Sequence, residues 1–169
     1  HNVSINGGTE SAKYMASVGY LGQTGILPNS ERQQFNGRMN LDINITKRLH
    51  ARMNMAYIKN DYKDPNTNYA GGSSDQIIRQ LNILSPMIPI RDKEGNYGAT
   101  NDGNPMAWLE SGQTVNKYNE NFTGLLSLDY EILKGLKATV TGSYTSYNQH
   151  YKAFVKKIEN DPAQAARPN

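Results

Sequence analysis

Few side chains in this sequence have the type and spacing that catalysis, phosphate binding or metal binding requires. The chain has no cysteine, which excludes disulfides, thiolate nucleophiles and cysteine-ligated metals. His1, His50 and His150 are far apart, and none has an acidic, serine or cysteine partner at a spacing useful for catalysis. No glycine-rich phosphate loop is present. We therefore predict that the protein is not an enzyme and that it uses no metal or other cofactor.

A regular series of polar side chains is more informative, and it occupies every second position of residues 35–45. Arg38, Asn40, Asp42 and Asn44 alternate there with glycine and apolar residues, from Gly37 to Ile45. Because side chains alternate sides along a β-strand, this segment has one polar and one apolar face. Its eleven residues exceed the usual globular strand and match the roughly 9–11 of a transmembrane strand. The pattern predicts the wall of a barrel with a polar lumen and an apolar face toward lipid.

The next strand repeats the pattern and extends the predicted polar lining. The side chains that we expect to face the lumen are Arg38, Asn40, Asp42, Asn44, Arg52 and Asn54. They would either hydrogen-bond a plug and line the path of a substrate, or only solvate the wall and pair with one another. On the lipid side, an arginine at mid-depth would cost roughly 2–4 kcal/mol, so these charges must face inward.

The elements that position these residues are six predicted strands, divided unequally along the chain. Alternation predicts strands 1–4 within 1–58 and strands 5–6 within 120–152, with a loop or tail at 153–169. The long segment 59–119 is predicted to be an extracellular loop. Short turns (8–11, 46–48 and 134–135) alternate with longer connections that start near 22, 59 and 152. Short turns at one end and long loops at the other are typical of outer-membrane barrels.

Aromatic residues on the apolar face fall near the predicted strand ends. Those nearest the long loops are Tyr20, Phe35, Tyr57, Phe122 and Tyr144, and those nearest the short turns are Tyr14 and Tyr130. Two aromatic belts that flank an aliphatic band are typical of membrane interfaces, so we expect these seven side chains to lie at the lipid interface. The alternative is a soluble antiparallel sandwich whose aromatics happen to lie at strand ends.

The long loop contains the candidate ligand contacts. Trp108, Tyr69 and Tyr97 could each stack on the face of a sugar ring, or could contact a partner protein that covers the loop. The alternative for Trp108 is an anchor that packs the loop. The turns at 92–96 and 101–104 carry oxygen ligands spaced as in some calcium loops, but neither matches the full calcium pattern, and such sequences usually only form turns.

A short helix is predicted within this loop, at residues 75–84. A Ser-x-x-Gln capping box at 73–76 opens it, and Pro86 closes it. Its apolar stripe consists of Ile77, Ile78, Leu81 and Leu84. The stripe would either dock a partner or, as we expect, pack on its own loop.

Composition limits the remaining classes. The 169 residues carry a formal net charge of +3 without a basic stripe, so nothing favours nucleic-acid binding. The mean hydropathy is −0.71 and no run approaches 18 apolar residues, which excludes a transmembrane helix but not a barrel. The chain opens within strand-like sequence and shows no export signal, so we expect it to be an internal piece of a longer protein.

Several motifs in the first 49 residues resemble the early barrel strands of SusC/RagA-type TonB-dependent transporters. The S-x-x-G-G turn, the Y-x-x-S-x-G-Y strand, the Q-x-G-x-L loop and the R-x-N-L strand occur here as Ser4, Gly7 and Gly8; Tyr14, Ser17, Gly19 and Tyr20; Gln23, Gly25 and Leu27; Arg38, Asn40 and Leu41. Segments 59–86 and 104–112 are similar to the long loop of close SusC relatives. The resemblance extends to about Lys156.

This resemblance implies an all-β protein, an antiparallel transmembrane β-barrel segment that is part of a larger plugged barrel in the bacterial outer membrane. It implies TonB-powered uptake of glycans or peptides, with a SusD-like surface lipoprotein as a lid. The TonB complex would act through parts that this chain lacks, since we find no plug domain or TonB box. Two alternatives are a soluble β-rich carbohydrate-binding module and a non-transporting outer-membrane barrel.

Overall fold

The computed structural model describes residues 1–67, 74–98 and 103–156. Its elements are β1 (Asn2–Gly8), β2 (Ala12–Thr24), β3 (Glu31–Asn44), β4 (Leu49–Pro65), α1 (Ser74–Ile83), α2 (Pro105–Glu110), β5 (Thr114–Leu133) and β6 (Leu136–Ala153). The strands form one sheet in sequence order, and β1 pairs with β2 in antiparallel register, with Ser4 opposite Ser17. The predicted all-β class with six antiparallel strands is confirmed, and this sheet is not closed into a barrel.

The described chain consists of two compact units. The sheet unit comprises residues 1–23, 32–61 and 118–150. The loop unit comprises residues 24–31, the described part of 62–117 and residues 151–156. The two units differ in where their apolar side chains lie.

Residues 126–130 of β5, in the sheet unit, expose their apolar side chains and bury the polar ones between them. Leu126, Leu128 and Tyr130 are 47%, 37% and 46% exposed, whereas the intervening Ser127 and Asp129 are 5% and 4% exposed. A sheet of a water-soluble protein shows the opposite distribution, because apolar burial drives its folding. In this stretch the alternation predicted from the sequence is therefore present, with the polar face as the more enclosed one.

Strands β4 and β5 are longer than predicted, so the loop between them is shorter. β4 continues to Pro65 and β5 begins at Thr114, whereas the alternation placed the loop boundaries at 59 and 119. Polar contacts hold the extension: the Ser30 hydroxyl donates to Asp64 at 2.9 Å, and Lys63 lies 3.8 Å from Glu31. A strand that is polar on both faces carries no hydrophobic alternation, which explains the difference.

The loop unit has a conventional small core. Ile77, Trp108 and Leu109 are buried together, and Leu27 and Met106 pack against them. Helix α2 was not predicted, although its start is well specified: the Asn104 side chain caps it by accepting from the Met106 N–H, and a proline occupies the first turn.

Helix α1 matches its prediction to within one residue at each end, but its apolar stripe does not pack as expected. Ile77 is fully buried, whereas Ile78 and Leu81 are 51% and 52% exposed. The expectation that the whole stripe packs on its own loop is wrong for these two residues, since the buried residues of α1 are Ile77 and Gln80. Ser73 of the predicted capping box lies outside the described residues.

In the part of the chain that the structure describes, no helix is both long enough and apolar enough to cross a bilayer.

Candidate functional site

The polar face of the sheet unit forms a recess across β2, β3 and β4. Its volume is about 260 Å³, and its polar lining consists of Lys13, Asn40, Asp42, Arg52 and Asn54. Four of the six side chains predicted to face the lumen are thus brought together. Arg38 and Asn44 do not line the recess.

The Asp42 carboxylate in the recess already has a partner. The Asp42 carboxylate lies 3.3 Å from His50 Nε2, and His50 Nδ1 is 2.8 Å from the Asn44 amide oxygen. Asn44 also donates to the Glu10 carbonyl at 3.3 Å. Asn44 therefore belongs to a local network near the short turns rather than to the recess.

Arg52 contacts a buried carboxylate, Asp129, that was not a candidate in the sequence analysis. Arg52 donates to Asp129 Oδ2 at 3.1 Å, and Lys137 lies 3.5 Å from the same oxygen. The Thr139 hydroxyl donates to Asp129 Oδ1 at 2.7 Å. This Asp129 cluster joins β4, β5 and β6 across the polar face. The sequence alone did not reveal this cluster, because the cluster depends on the register between strands that are far apart in sequence.

The predicted interface aromatics lie on the opposite face. Phe122 and Tyr144, from β5 and β6, have ring centroids 6.3 Å apart. Tyr57 and Phe122 are half-buried; the more exposed members are Tyr14, Tyr20, Phe35, Tyr130 and Tyr144. The Tyr57 hydroxyl donates to Glu120 at 3.1 Å. That lipid contacts this face stays a prediction.

Trp108, one of the loop aromatics predicted to contact a ligand, is less exposed than that prediction requires. Trp108 is only 4% exposed, and a side chain at Gly103, which has φ +97°, would clash with its indole. This burial favours the packing-anchor interpretation over a stacking contact with a sugar. Tyr69 lies outside the described residues.

Tyr97 is held by two charged side chains. The Arg91 guanidinium lies 4.2 Å from the centre of its ring, and its hydroxyl donates to Glu110 Oε2 at 3.0 Å. Arg91 also pairs with Glu110 at 2.6 Å. One face of the ring is therefore covered, and the three side chains fasten the turn at 91–97 to helix α2.

The electrostatics of this cluster favour its ion pair. The hydrogen bond from Arg91, and then that from Tyr97, hold the pKa of Glu110 below its usual value. Burial, followed by the hydrogen bond to Glu110, raises the pKa of Tyr97. Both shifts favour the ionised Glu110 carboxylate and the protonated Tyr97 hydroxyl, which are the forms that make this contact.

The turn at 92–96 uses its carboxylate to close itself. Asp92 accepts from the Glu94 and Asn96 N–H groups at 2.8 and 2.9 Å, and from the Asn96 side chain at 3.1 Å. Burial raises the pKa of Asp92, but these hydrogen bonds outweigh it and lower the pKa overall. This geometry is that of an Asx turn, as expected for such a sequence. Within the described ranges, no group of three or more histidine or acidic side chains could hold a metal ion.

In comparisons with known proteins, the chain matches part of the length of curated TonB-dependent receptors. No family model matches the chain. Three curated proteins of Formosa agariphila do: TonB-dependent receptor P3 is 26% identical over 161 residues, and P26 and P39 are 29% and 24% identical over 137 and 158 residues. The matches cover 90%, 76% and 90% of this chain.

The chain spans only 16%, 13% and 14% of the lengths of these three relatives. It is therefore similar to one portion of a TonB-dependent receptor. The matches do not distinguish a SusC/RagA subtype. They show that the chain is similar to part of three TonB-dependent receptors.

Proposed function

We propose that this chain is part of the barrel wall of a SusC/RagA-type importer in the bacterial outer membrane. The importer takes up glycans, as oligosaccharides, or peptides, together with a SusD-like surface lipoprotein. The observation that carries the proposal is the inverted exposure on β5, where Leu126 and Leu128 are exposed and Ser127 and Asp129 are buried. An apolar outer face with a charged, hydrogen-bonded inner face is the distribution that a lipid-embedded barrel requires.

The exposed apolar side chains of the loop unit support the proposal that a protein partner binds there. Apolar side chains are exposed there on the β2–β3 connection, on α1 and after it: Ile26, Ile78, Leu81, Ile83, Met87 and Ile90. Exposed apolar groups in this number are a usual feature of protein interfaces. They, rather than buried Trp108, are our candidates for contact with the lipoprotein lid.

The soluble carbohydrate-binding module explains the structure less well. Such a module would bury its apolar face against a second sheet. In residues 1–67, 74–98 and 103–156 all six strands form a single sheet, and Val3, Val18 and Val140 on it are at least half exposed. The non-transporting barrel is disfavoured by the three receptor relatives.

Fractionation of cells that produce the native protein tests the proposal. We expect the polypeptide that carries this sequence in the outer membrane, extracted only by detergent and co-purifying with a surface lipoprotein. Deletion of its gene should abolish growth on one glycan or peptide source while growth on the corresponding monomer continues. A water-soluble product of 18.8 kDa would contradict the membrane assignment.

A further inference from the structure

The two short turns that join β3 to β4 and β5 to β6 carry cations without a charged partner. Lys47 and Arg48 form the tip of the first turn, and Lys134 lies in the second. Within the described residues, none of these three side chains is within ion-pair distance of a carboxylate. At the opposite end of β4, by contrast, Lys59 pairs with Asp61 at 3.6 Å. We call the turns at 46–48 and 134–135 the basic turns.

The basic turns are neighbours at one end of the sheet, and their backbones are tightly closed. The Glu131 N–H donates to the Arg48 carbonyl at 2.8 Å, so the start of β4 lies beside the end of β5. In the first turn, the Thr46 hydroxyl accepts from the N–H groups of Arg48 and Leu49 at 3.2 and 3.0 Å. In the second, Gly135 has φ +89°, which permits a two-residue connection. The cations are therefore presented side by side on fixed turns.

Exposed apolar side chains adjoin the basic turns. Ile45 directly precedes the first turn and is 55% exposed, and Leu133 and Leu136 flank the second and are 65% and 53% exposed. Tyr130, a predicted interface aromatic, follows on the apolar face of β5. An apolar surface that ends in lysine and arginine is typical of a membrane interface, because the aliphatic stem lies against hydrocarbon while the charged end reaches the headgroups.

The acidic groups near the basic turns do not neutralise them. Glu131 lies beside Arg48 along the backbone, and the Glu10 carbonyl in the β1–β2 turn accepts from Asn44 at 3.3 Å. Among the residues that the structure describes, neither carboxylate pairs with a turn cation, and Asp129 is occupied by its own cluster. Three turn cations against two carboxylates leave this end of the wall positive, which is complementary to an anion.

We infer that the basic turns bind the phosphate groups of anionic phospholipids in the periplasmic leaflet of the outer membrane. Short turns of such barrels lie on the periplasmic side, and phosphate oxygens accept strong hydrogen bonds from ammonium and guanidinium groups. Each lysine or arginine near an anionic lipid surface strengthens attraction roughly fivefold. The inference rests on the proposed function, which puts the apolar face in lipid, and goes beyond it by naming the headgroup at this end.

Fluorescence quenching in lipid vesicles tests this inference. The full-length receptor carries one fluorophore beside the second turn, attached through Leu133→Cys as its sole cysteine. The vesicles contain a nitroxide near the headgroup, either on phosphatidylglycerol, which is anionic, or on phosphatidylcholine, which is zwitterionic. We expect the anionic lipid to quench about threefold or more better than the zwitterionic lipid. Salt at about 1 M should bring this quenching ratio close to one, because it screens exposed charges.

Replacement of the turn cations isolates their contribution. In the combined variant Lys47→Gln, Arg48→Gln and Lys134→Gln, the quenching ratio should fall to within about 1.5-fold of one, since the local attraction for phosphate is lost. Heat-modifiable migration on gels verifies that the variant is folded. The salt titration of the receptor with its native turn cations gives an independent readout if it is not.

The loop unit offers a control that removes the same charge. Arg79, Lys93 and Lys156 are exposed cations there, and in the described residues they form no ion pair. Their combined replacement by glutamine should leave the quenching ratio at residue 133 unchanged, because they lie beyond the opposite ends of the strands.

Three outcomes would overturn the inference in distinguishable ways. A ratio near one with the native turn cations would exclude selection of anionic headgroups, while quenching by both lipids would leave the membrane location intact. A ratio that survives loss of the three turn cations would exclude these turns as the binding groups. Absence of quenching by either lipid would place residue 133 outside the bilayer and contradict the lipid-facing wall of the proposed function as well.

Discussion

The sheet unit and the loop unit differ in the kind of side chain that they bury most deeply. On β5, Leu126 and Leu128 are exposed while Asp129 is buried, whereas in the loop unit Ile77 and Trp108 are buried in a small core. The proposed function explains this difference, because it places the apolar face of the sheet against lipid and the loop unit in water.

The comparison also separates two kinds of polar group. Asp129 on the sheet is buried but has Arg52, Lys137 and Thr139 as partners. Asp92 in the loop unit is satisfied by its own turn. The sheet pairs its charges across strands, and the loops satisfy theirs locally.

The largest expected effect is on the loop core. Trp108→Ala should destabilise local structure by about 3–5 kcal/mol, because it leaves a cavity beside Ile77 and Leu109. Native-state hydrogen exchange of the α1 and α2 amides in the full-length receptor measures this change. The exposed neighbour Ile78→Ala should change exchange by less than about 0.5 kcal/mol. Equal effects of the two substitutions would show that Trp108 is not the core anchor.

The sheet should respond to charge on only one face. Leu126→Arg puts a cation on the apolar face and should cost roughly 2–4 kcal/mol in a membrane, so less folded receptor should reach the outer membrane. Thr123→Arg, on the exposed polar face of the same strand, is the matched control and should be tolerated. Quantitative blots of heat-modifiable receptor compare them. If both arginines were tolerated, the result would contradict the claim that the two faces of the sheet lie in different environments.

Neutralising the buried carboxylate should have a smaller effect. Asp129→Asn leaves Arg52 and Lys137 without their shared anion, but both cations are partly solvated, so we expect a loss of roughly 1–2 kcal/mol. Asp42→Asn, whose partner is His50, should have little effect. Urea-dependent unfolding of the receptor in lipid vesicles distinguishes them. A neutral or stabilising Asp129→Asn would show that the cluster is not a net stabilising contact.

The smallest effect concerns pH and the loop unit. The pKa of Glu110 is lower in the folded state, so its contribution to stability is present above the unfolded pKa of about 4.3 and is lost as pH falls through the folded value. The protection factors of the amides at the turn 91–97, which correct for the intrinsic pH dependence of exchange, should therefore fall in acid, below about pH 4. Glu110→Gln should remove that acid dependence while α1 remains protected. An unchanged acid profile in Glu110→Gln would contradict this role of the ion pair.

Hydrophobic alternation predicted the middle of each strand but not its ends. β4 runs on through Asn60 to Asp64, where neither face is apolar, so the pattern was lost although the strand was not. Hydrophobic alternation reflects a difference in polarity between the surroundings of the two faces of a strand. That difference disappears where both faces contact water or other polar groups. Cross-strand contacts such as Ser30–Asp64 supply the missing support.

The sites were predictable only where one strand specified them. Asn40, Asp42, Arg52 and Asn54 follow from alternation, and they do line one recess. Asp129 depends on three strands meeting, which no local pattern records.

The sequence left two interpretations of Trp108 open for a different reason. A lone loop tryptophan has the same local signal whether it binds a sugar or anchors a core. The Asn104–Pro105 pair contained the missing information, because it starts a helix and a short helix buries a side chain.

The most direct test of the central claim is a spin-label scan along β5 of the full-length receptor in lipid vesicles. Labels are placed one at a time at residues 126 to 130, and their collision rates with oxygen and with a water-soluble nickel complex are compared. We predict high oxygen and low nickel accessibility at 126, 128 and 130, and low oxygen accessibility at 127 and 129. Nickel accessibility at 126, 128 and 130 above that at 127 and 129 would contradict a lipid-facing apolar face.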